Sequence, residues 1–353
     1  MRGGVPYYQP RKAEKVAGLS ITHYEEMRMN SMHTVLFFNG QSKVIADIFF
    51  DKAPEGFDGS WKPYQLSHEE KADLIRNVEF LVLHPAEISG SLMREAKSLR
   101  LIQLLTAGYD KVDLATAAEL GIPVATNGGA NAWGVAEQTI ALLLALYRRL
   151  IQCDRSVREG RWRKAISGFD TFEVAEKTVG LIGMGNVGRK VAKRFKAFET
   201  RILYHDILPA PDIERELGAR NVSLDELLRE SDIISIHLPL LRSTRTLIGE
   251  RELSLMKPTS VILNTSRGEI VDEGALCAAL REKHIAGAGL DVYHQEPISQ
   301  DNPLLKLENV IFTPHTAGHT YEGWFRRSRF AWENIQRVAS GQNPLSLARP
   351  EEV

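Results

Sequence analysis

"VGLIGMGNVG", Val179–Gly188, is the stretch that decides how this chain is organised. A short apolar run enters a turn with glycines at 183, 185 and 188, and "VGRKVAKRFKAF" (Val187–Phe198) continues it as a helix. In that helix Val187, Val191, Phe195 and Phe198 fall on one stripe, while Arg189, Lys190, Lys193 and Arg194 fall off it. A lone G-x-G-x-x-G is weak evidence, because glycine is common. Here the strand before it and the helix after it supply the context of a dinucleotide-binding fingerprint. Gly183 permits the tight turn, Gly185 lets backbone approach a pyrophosphate, and Gly188 lets helix and strand pack closely. The helix opening, Asn186 and Val187, offers unpaired N–H groups and a positive dipole end to phosphates. Gly183, Gly185, Asn186, Val187 and Gly188 are therefore candidate cofactor-binding residues.

Beyond the helix, "RILYHD" ends in Asp206, where a ribose-binding acid belongs. A carboxylate there accepts from the ribose hydroxyls and repels a 2′-phosphate, which predicts NAD rather than NADP. By itself, Asp206 would be read as a solvated acid at a strand end.

The fingerprint begins midway along a chain of 353 residues, so something of comparable size precedes it. Length alone suggests about two domains. From Thr178 onward "TVGLIG", "RILYHD", "DIISIHL", "SVILNTS", "IAGAGLDV" and "NVIFTPH" predict a six-stranded doubly wound sheet. Upstream, "TVLFF", "EFLVLH" and "LIQLL" predict buried strands, and Ser67 with Glu70 predicts a capping box opening a helix. Strands alternating with helices predict a parallel sheet here too. Between the two units, "NAWGVAEQTIALLLALYRRLIQCD" (Asn131–Asp154) is apolar all round at its centre and predicts one long buried helix. After His315 the chain turns helical again.

Bulk composition is that of a soluble globular protein, with 43% hydrophobic and 25% charged residues. A net charge of −1 gives no basic footprint for nucleic acid. No apolar run reaches the roughly 18 residues of a membrane span. Cys153 and Cys277 form neither a disulfide framework nor a metal-binding spacing, and a reducing cytoplasm is the expected compartment. Residues 1–32 lack a secretory h-region and mix Arg2, Arg11, Lys12 and Lys15 with Glu14, Glu25 and Glu26. They read as a loose tail, or as a start placed ahead of Met29 or Met32, with the fold beginning at His33.

Three later strands end in chemistry. Arg267 follows "SVILNTS", Asp291 closes "IAGAGLD" with Glu296 just beyond, and His315 follows "NVIFTP". Each alone has a bland reading: a solvated arginine, a surface glutamate before proline, a hydrogen-bonded structural histidine. Together, at adjacent carboxyl ends beside a dinucleotide site, they make an anion clamp, an acid–base group and a partner that tunes it.

At this point the sequence resembles the D-isomer-specific 2-hydroxyacid dehydrogenases, the family of phosphoglycerate dehydrogenase and the glyoxylate/hydroxypyruvate reductases. "GMGNVGRKVAKR", "HLPLLRSTRTLI", "LMKPTSVILNTSRGEIVDEGAL", "GLDVYHQEP" and "FTPHTAGHT" carry the resemblance in order, from about His33 to the C-terminus. It implies an α/β chain whose doubly wound Rossmann cofactor domain (131–317) is inserted into a flavodoxin-like substrate domain (33–130 and 318–353). The mid-chain fingerprint is then the opening of the insert. The resemblance further implies that Arg267 binds substrate carboxylate and carbonyl, that Glu296 buttresses His315, and that Asp291 holds the nicotinamide amide. His237, Pro239, Thr244 and Thr265 become cofactor-binding positions. In "LLTAGYDKVDL" the backbone N–H groups at Ala107 and Gly108 become substrate-binding ones. A small 2-oxo or 2-hydroxy acid is implied as substrate, with the side-chain pocket at His84–Glu87 and Trp133 or Trp324. A homodimer is implied as well, with Trp162 of "EGRW" at the partner subunit or, equally, over its own domain.

Departures from the family pattern are few. Glu199 or Thr200 stands where glycine usually follows the fingerprint helix, at a cost of about 1 kcal/mol if the backbone is left-handed. Glu296 counts against formate dehydrogenase activity, which resembles this pattern but carries glutamine there. Two rivals share the fold: a dinucleotide-sensing corepressor and a methyltransferase. The corepressors keep the Arg/Glu/His set but carry a tryptophan where this chain has Gly318. A methyltransferase leaves Arg267, Glu296 and His315 unexplained. Phosphoglycerate dehydrogenase activity is a third alternative, although no cluster of arginines near the pocket is visible in the linear sequence.

Overall fold

The structure is a computed structural model and describes residues 32–165 and 168–349. The proposed tail lies almost wholly outside the described residues. The first strand starts at His33.

The first part of the chain carries β1 (His33–Asn39), β2 (Phe57–Pro63), β3 (Phe80–His84), β4 (Glu87–Ile88), β5 (Leu101–Leu104), β6 (Lys111–Val112) and β7 (Val124–Ala125). Five of them form a parallel sheet in the order β2–β1–β3–β5–β7, and β4 pairs with β6 beside it. Two of the five escape a reading by apolar runs. β2, "FDGSWKP", is a largely exposed polar edge strand, and β7 is two residues long. The Ser67–Glu70 capping box forms in both directions, at 3.3 and 2.8 Å.

The second sheet uses β8 (Thr178–Ile182), β9 (Arg201–His205), β10 (Arg220–Asn221), β11 (Ile233–Ile236), β12 (Val261–Asn264), β13 (Gly287–Leu290) and β14 (Val310–Phe312). All pairings are parallel, in the order β10–β9–β8–β11–β12–β13–β14. Seven strands replace the six expected, because β10 is a short exposed pair of polar residues with no apolar signal. Strand order reverses at β8, where ligands of doubly wound sheets bind.

Asn131–Asp154 is not one helix. It divides into Ala132–Tyr147 and Leu150–Arg158, with Arg149 left-handed between them at φ 47°. The apolar centre, Leu142 and Leu143, is buried, but the charged pair Arg148–Arg149 cannot follow it inward, and Arg149 turns out to an ion pair with Asp170. The first helix shares a core with the second sheet through Ala136, Leu142, Leu143 and Tyr147 against Val179, Leu181, Val191 and Phe195. The stripe predicted on the fingerprint helix is the buried one: Val191 and Phe195 are fully covered, and Val187 and Phe198 pack at the margin. At its end Glu199 is left-handed, at φ 61°.

The C-terminal helix, Tyr321–Ala339, returns to the first sheet. Trp324, Ala331, Trp332 and Ile335 share a core with Val35, Phe37, Phe80 and Val82. Trp332 stacks on Phe49 at 4.9 Å and its indole N–H donates to the Phe49 carbonyl at 2.7 Å. Beyond this helix the chain closes on β7, with Ala348 donating to the Val124 carbonyl at 2.9 Å.

Candidate active site

A cavity of about 400 Å³ collects residues from both halves of the chain: Thr106–Gly108 and Asp110, Thr265 and Arg267, Asp291 to Glu296, and His315 to His319. A larger cavity of about 610 Å³, lined by Tyr147, Arg149, Pro258 and Lys283 among others, holds none of the residues singled out in the sequence. Chemistry, not size, selects the first.

His315 follows β14 and has a left-handed backbone, φ 53°, which is costly for a residue with a side chain. Its N–H donates to the Asp291 carbonyl at 2.7 Å. The Asp291 side chain holds the same loop. Oδ1 accepts from the Thr313 hydroxyl (2.6 Å) and the Thr316 N–H (3.0 Å), and Oδ2 accepts from the Ala317 N–H (2.9 Å). Burial raises the Asp291 carboxyl above its ordinary range, and these hydrogen bonds offset only part of that. This bracing has no local signature, because it depends on a loop more than twenty residues away.

The imidazole of His315 is half-exposed, and its Nδ1 lies 2.6 Å from Oε2 of Glu296. Oε1 of Glu296 accepts from the Tyr293 N–H at 3.1 Å, which fixes the carboxylate. Burial would raise the Glu296 carboxyl, but the hydrogen bond and charge of His315, with smaller help from Arg267, hold it below the ordinary glutamate value.

Arg267 follows β12. Its Nε donates to Oδ1 of Asp110 at 2.9 Å and its Nη1 to the Ser266 carbonyl at 2.8 Å. Burial would raise Asp110, and the guanidinium more than offsets it. Nη2 lies against Gly108, where an added Cβ would sit 1.4 Å from it, so only glycine leaves Arg267 its place. Among the described residues the N–H groups of Ala107 and Gly108 donate to no other protein group, while the Gly108 carbonyl accepts from the Thr106 hydroxyl at 2.8 Å. The loop and the arginine thus offer donors to one place. Asp110 stands inside the loop quoted for the resemblance, but its role depends on a partner 157 residues away.

The glycine turn lies beyond this cavity. Gly183 has φ +98°, and a Cβ on Gly188 would meet the Gly183 carbonyl at 2.1 Å, so both are required as glycine. Gly185 caps the helix Asn186–Lys196 without a side-chain bond, and a Cβ there would meet nothing within 4 Å, which leaves open space in front of the first N–H groups. Asp206 turns back on the turn, accepting from the Met184 N–H at 2.6 Å and, through its other oxygen, from the Leu208 N–H at 2.9 Å. Each oxygen keeps a lone pair for a ribose hydroxyl. These residues fit a dinucleotide.

The other residues expected at the cofactor follow the ends of neighbouring strands β11 and β12. His237 follows β11, its Nε2 2.9 Å from the Ser235 hydroxyl, and burial pushes its pKa down to about 3. The Pro239 carbonyl accepts from the Thr244 hydroxyl at 2.7 Å, and the Thr265 hydroxyl is 3.0 Å from that of Thr139. Trp133 does not line the cavity: it is 48% exposed and lies beneath Lys190, 3.8 Å from the ring. Trp324 stands behind the wall, against His84 at 5.0 Å.

With this geometry in place, the comparisons define the class. The family model "D-isomer specific 2-hydroxyacid dehydrogenase, NAD binding domain" matches residues 140–317. The chain is 43% identical over 298 residues to a glyoxylate reductase of Aeropyrum pernix, covering 82% of this chain and 88% of that one. It is 42% identical over 271 residues to a glyoxylate reductase of Korarchaeum cryptofilum, covering 75% and 81%. Among solved structures, a glyoxylate reductase from Paecilomyes thermophila superposes with a TM-score of 0.78 at 30% identity, covering 91% of this chain and 99% of that one. The chain belongs to the D-isomer-specific 2-hydroxyacid dehydrogenases. It is an NAD-dependent oxidoreductase acting on the CH–OH group of a 2-hydroxy acid.

Proposed function

We propose that the chain reduces a small 2-oxo acid, of the glyoxylate or hydroxypyruvate type, with Arg267, Glu296 and His315 as the residues that carry the reaction. The observation that supports this most strongly is the 2.6 Å contact of His315 with Glu296 in the same cavity as an arginine held by Asp110. The names of the curated relatives support the small substrate.

Gly183, Gly185, Asn186, Val187 and Gly188 would hold the pyrophosphate and Asp206 the adenosine ribose. His237, Pro239, Thr244, Thr265 and Asp291 would line the path to the nicotinamide. NADH, when held there, would supply the hydride that C2 of the substrate receives and would be left as NAD+. Arg267 and the N–H groups of Ala107 and Gly108 fix the carboxylate, so that the carbonyl carbon is presented in one orientation. Arg267 also stabilises the charge that develops on the carbonyl oxygen. His315 donates the proton that completes the hydroxyl.

We further read the domains as 33–130 with 318–353 around an inserted 131–317, the assembly as a homodimer, and the compartment as cytoplasmic. The C-terminal helix packed on the first sheet supports the insertion. Cys153 and Cys277, both free, support a reducing compartment, and finding the protein in an exported fraction would count against it.

The test is loss of NADH absorbance across glyoxylate, hydroxypyruvate, pyruvate and an aryl pyruvate, with NADPH and His315→Ala as controls. Turnover with NADH that disappears in the variant is the expected result. Tight NADH binding without turnover on any acid would favour the sensing reading instead.

A further inference from the structure

Arg327, on the C-terminal helix, is only 3% exposed and lines the same cavity as Arg267. One nitrogen, Nη2, donates to the Gly318 carbonyl at 2.8 Å, and the guanidinium lies over the Trp324 ring at 4.4 Å. Nε and Nη1 are buried without a hydrogen-bond partner. No acid among the described residues forms an ion pair with it, whereas Arg267 has Asp110. An aromatic face offsets only part of the cost of a buried cation.

Its neighbours do not supply the missing charge either. His84 is buried with Nδ1 unpartnered, and its ring is 5.7 Å from that of His319. Burial and the charge of Arg327 push His84 down to about 3 and His319 to about 4, so both stand neutral and can donate a hydrogen bond. Burial and the charge of Arg326 bring Arg327 itself down to about 10, so it stays charged at neutral pH. Gly318 makes the arrangement possible, since a Cβ there would lie 2.7 Å from Nη2 of Arg327.

We propose that Arg327, with His84 and His319, is the specificity-determining wall of the cavity and binds a second carboxylate on the substrate, distal to the 2-oxo acid group. This narrows the proposed function to 2-oxo diacids of the size of 2-oxosuccinate, and it rests on that reading for the orientation set by Arg267. A carboxylate fits better than a phosphate because one buried cation and two neutral donors match a single negative charge, and Glu87 and Glu269 line the same cavity.

Two measurements test it. In the first, kcat/KM with NADH is compared for 2-oxosuccinate, pyruvate and 3-phosphohydroxypyruvate in the wild type, Arg327→Met and Arg327→Lys. The wild type is expected to prefer 2-oxosuccinate to pyruvate by at least about tenfold. Arg327→Met should cut that ratio by roughly a hundredfold, mainly through KM, and Arg327→Lys should restore part of it. No preference in the wild type, or an equal loss on both acids, would overturn the proposal. So would a preference for 3-phosphohydroxypyruvate over 2-oxosuccinate, which would make the distal group a phosphate. In the second, the NADH complex is titrated calorimetrically with D-malate and D-lactate, which differ by the distal carboxylate and undergo no reaction with NADH. Tighter D-malate binding that depends on Arg327 supports the wall even if no 2-oxo acid is turned over, a result that would fell the proposed reaction alone. Equal binding of the two acids would sink the wall whatever the kinetics show.

Discussion

Glu296 holds His315 from one side only, through a single short hydrogen bond from Nδ1, and the other nitrogen of the ring is left to face the cavity. The hydrogen bond and charge of His315 outweigh burial and hold the Glu296 carboxyl below its ordinary value, so the anion is present throughout the neutral range. In the reduction proposed, this ring hands its proton to the substrate. Replacing the carboxylate by an amide keeps a hydrogen-bond partner and removes the charge. The kcat for reduction in Glu296→Gln is therefore expected to fall by roughly a hundredfold at neutral pH, with KM changed much less. An unchanged kcat would remove Glu296 from the proton-transfer step. Arg267, Glu296 and His315 were legible as residue types at strand ends. Asp110 was not, because its significance is a partner 157 residues away, and Arg327 was not, because its significance is the lack, among the described residues, of a partner for Nε and Nη1 beside a cavity that only the fold assembles.

Elements were legible where apolar period and cap chemistry coincide. β8 and the helix after it carry both, and so does the Ser67 cap. Strands β2, β7 and β10 carry neither; they are added to sheet edges by pairing with an already buried neighbour, which a local pattern does not encode. The division at Arg149 was hidden for a related reason: helix-forming residues run through it, and only burial on one side and charge on the other end the helix. The exit from the fingerprint helix shows a local rule being broken at a cost. Glu199 sits at φ 61°, its N–H donating to the Lys196 carbonyl at 3.0 Å, and the adjacent Thr200 hydroxyl donates to Phe195 at 2.9 Å. The side chain of Glu199 takes no part in the turn's hydrogen bonds, so Glu199→Gly should relieve about 1 kcal/mol of backbone strain. In a domain of this size that corresponds to a rise in Tm of about 2–4 °C by thermal denaturation, with NADH affinity unaltered. A fall in Tm would show that the glycine's extra freedom in the unfolded chain outweighs the strain.

At the scale of the whole molecule, the helix beyond Arg149 leaves apolar surface that the described residues do not cover. Leu150, Ile151 and Val157 are 56%, 59% and 58% exposed, and Trp162, which follows the helix in a left-handed turn, is 67% exposed. Scattered apolar residues on a surface mean little, but four within one short segment favour an interaction site. The exposure of Trp162 also speaks against its being a tryptophan laid over its own domain. A second copy of the chain is the occupant that best suits a segment joined directly to the helix packed on the cofactor sheet, because a two-fold axis there would bury the patch against itself. Light scattering is expected to return twice the 39.5 kDa of the chain. Ile151→Arg places a charge in the centre of the patch and should shift the mass to that of a single chain, whereas Trp162→Ala should weaken the dimer without abolishing it. Because the patch lies outside the residues lining the catalytic cavity, the Ile151→Arg monomer should still bind NADH; loss of cofactor binding together with the dimer would mean the interface supports the cofactor sheet itself. A wild-type chain of single mass at working concentration would remove the homodimer altogether and leave the patch to a different partner.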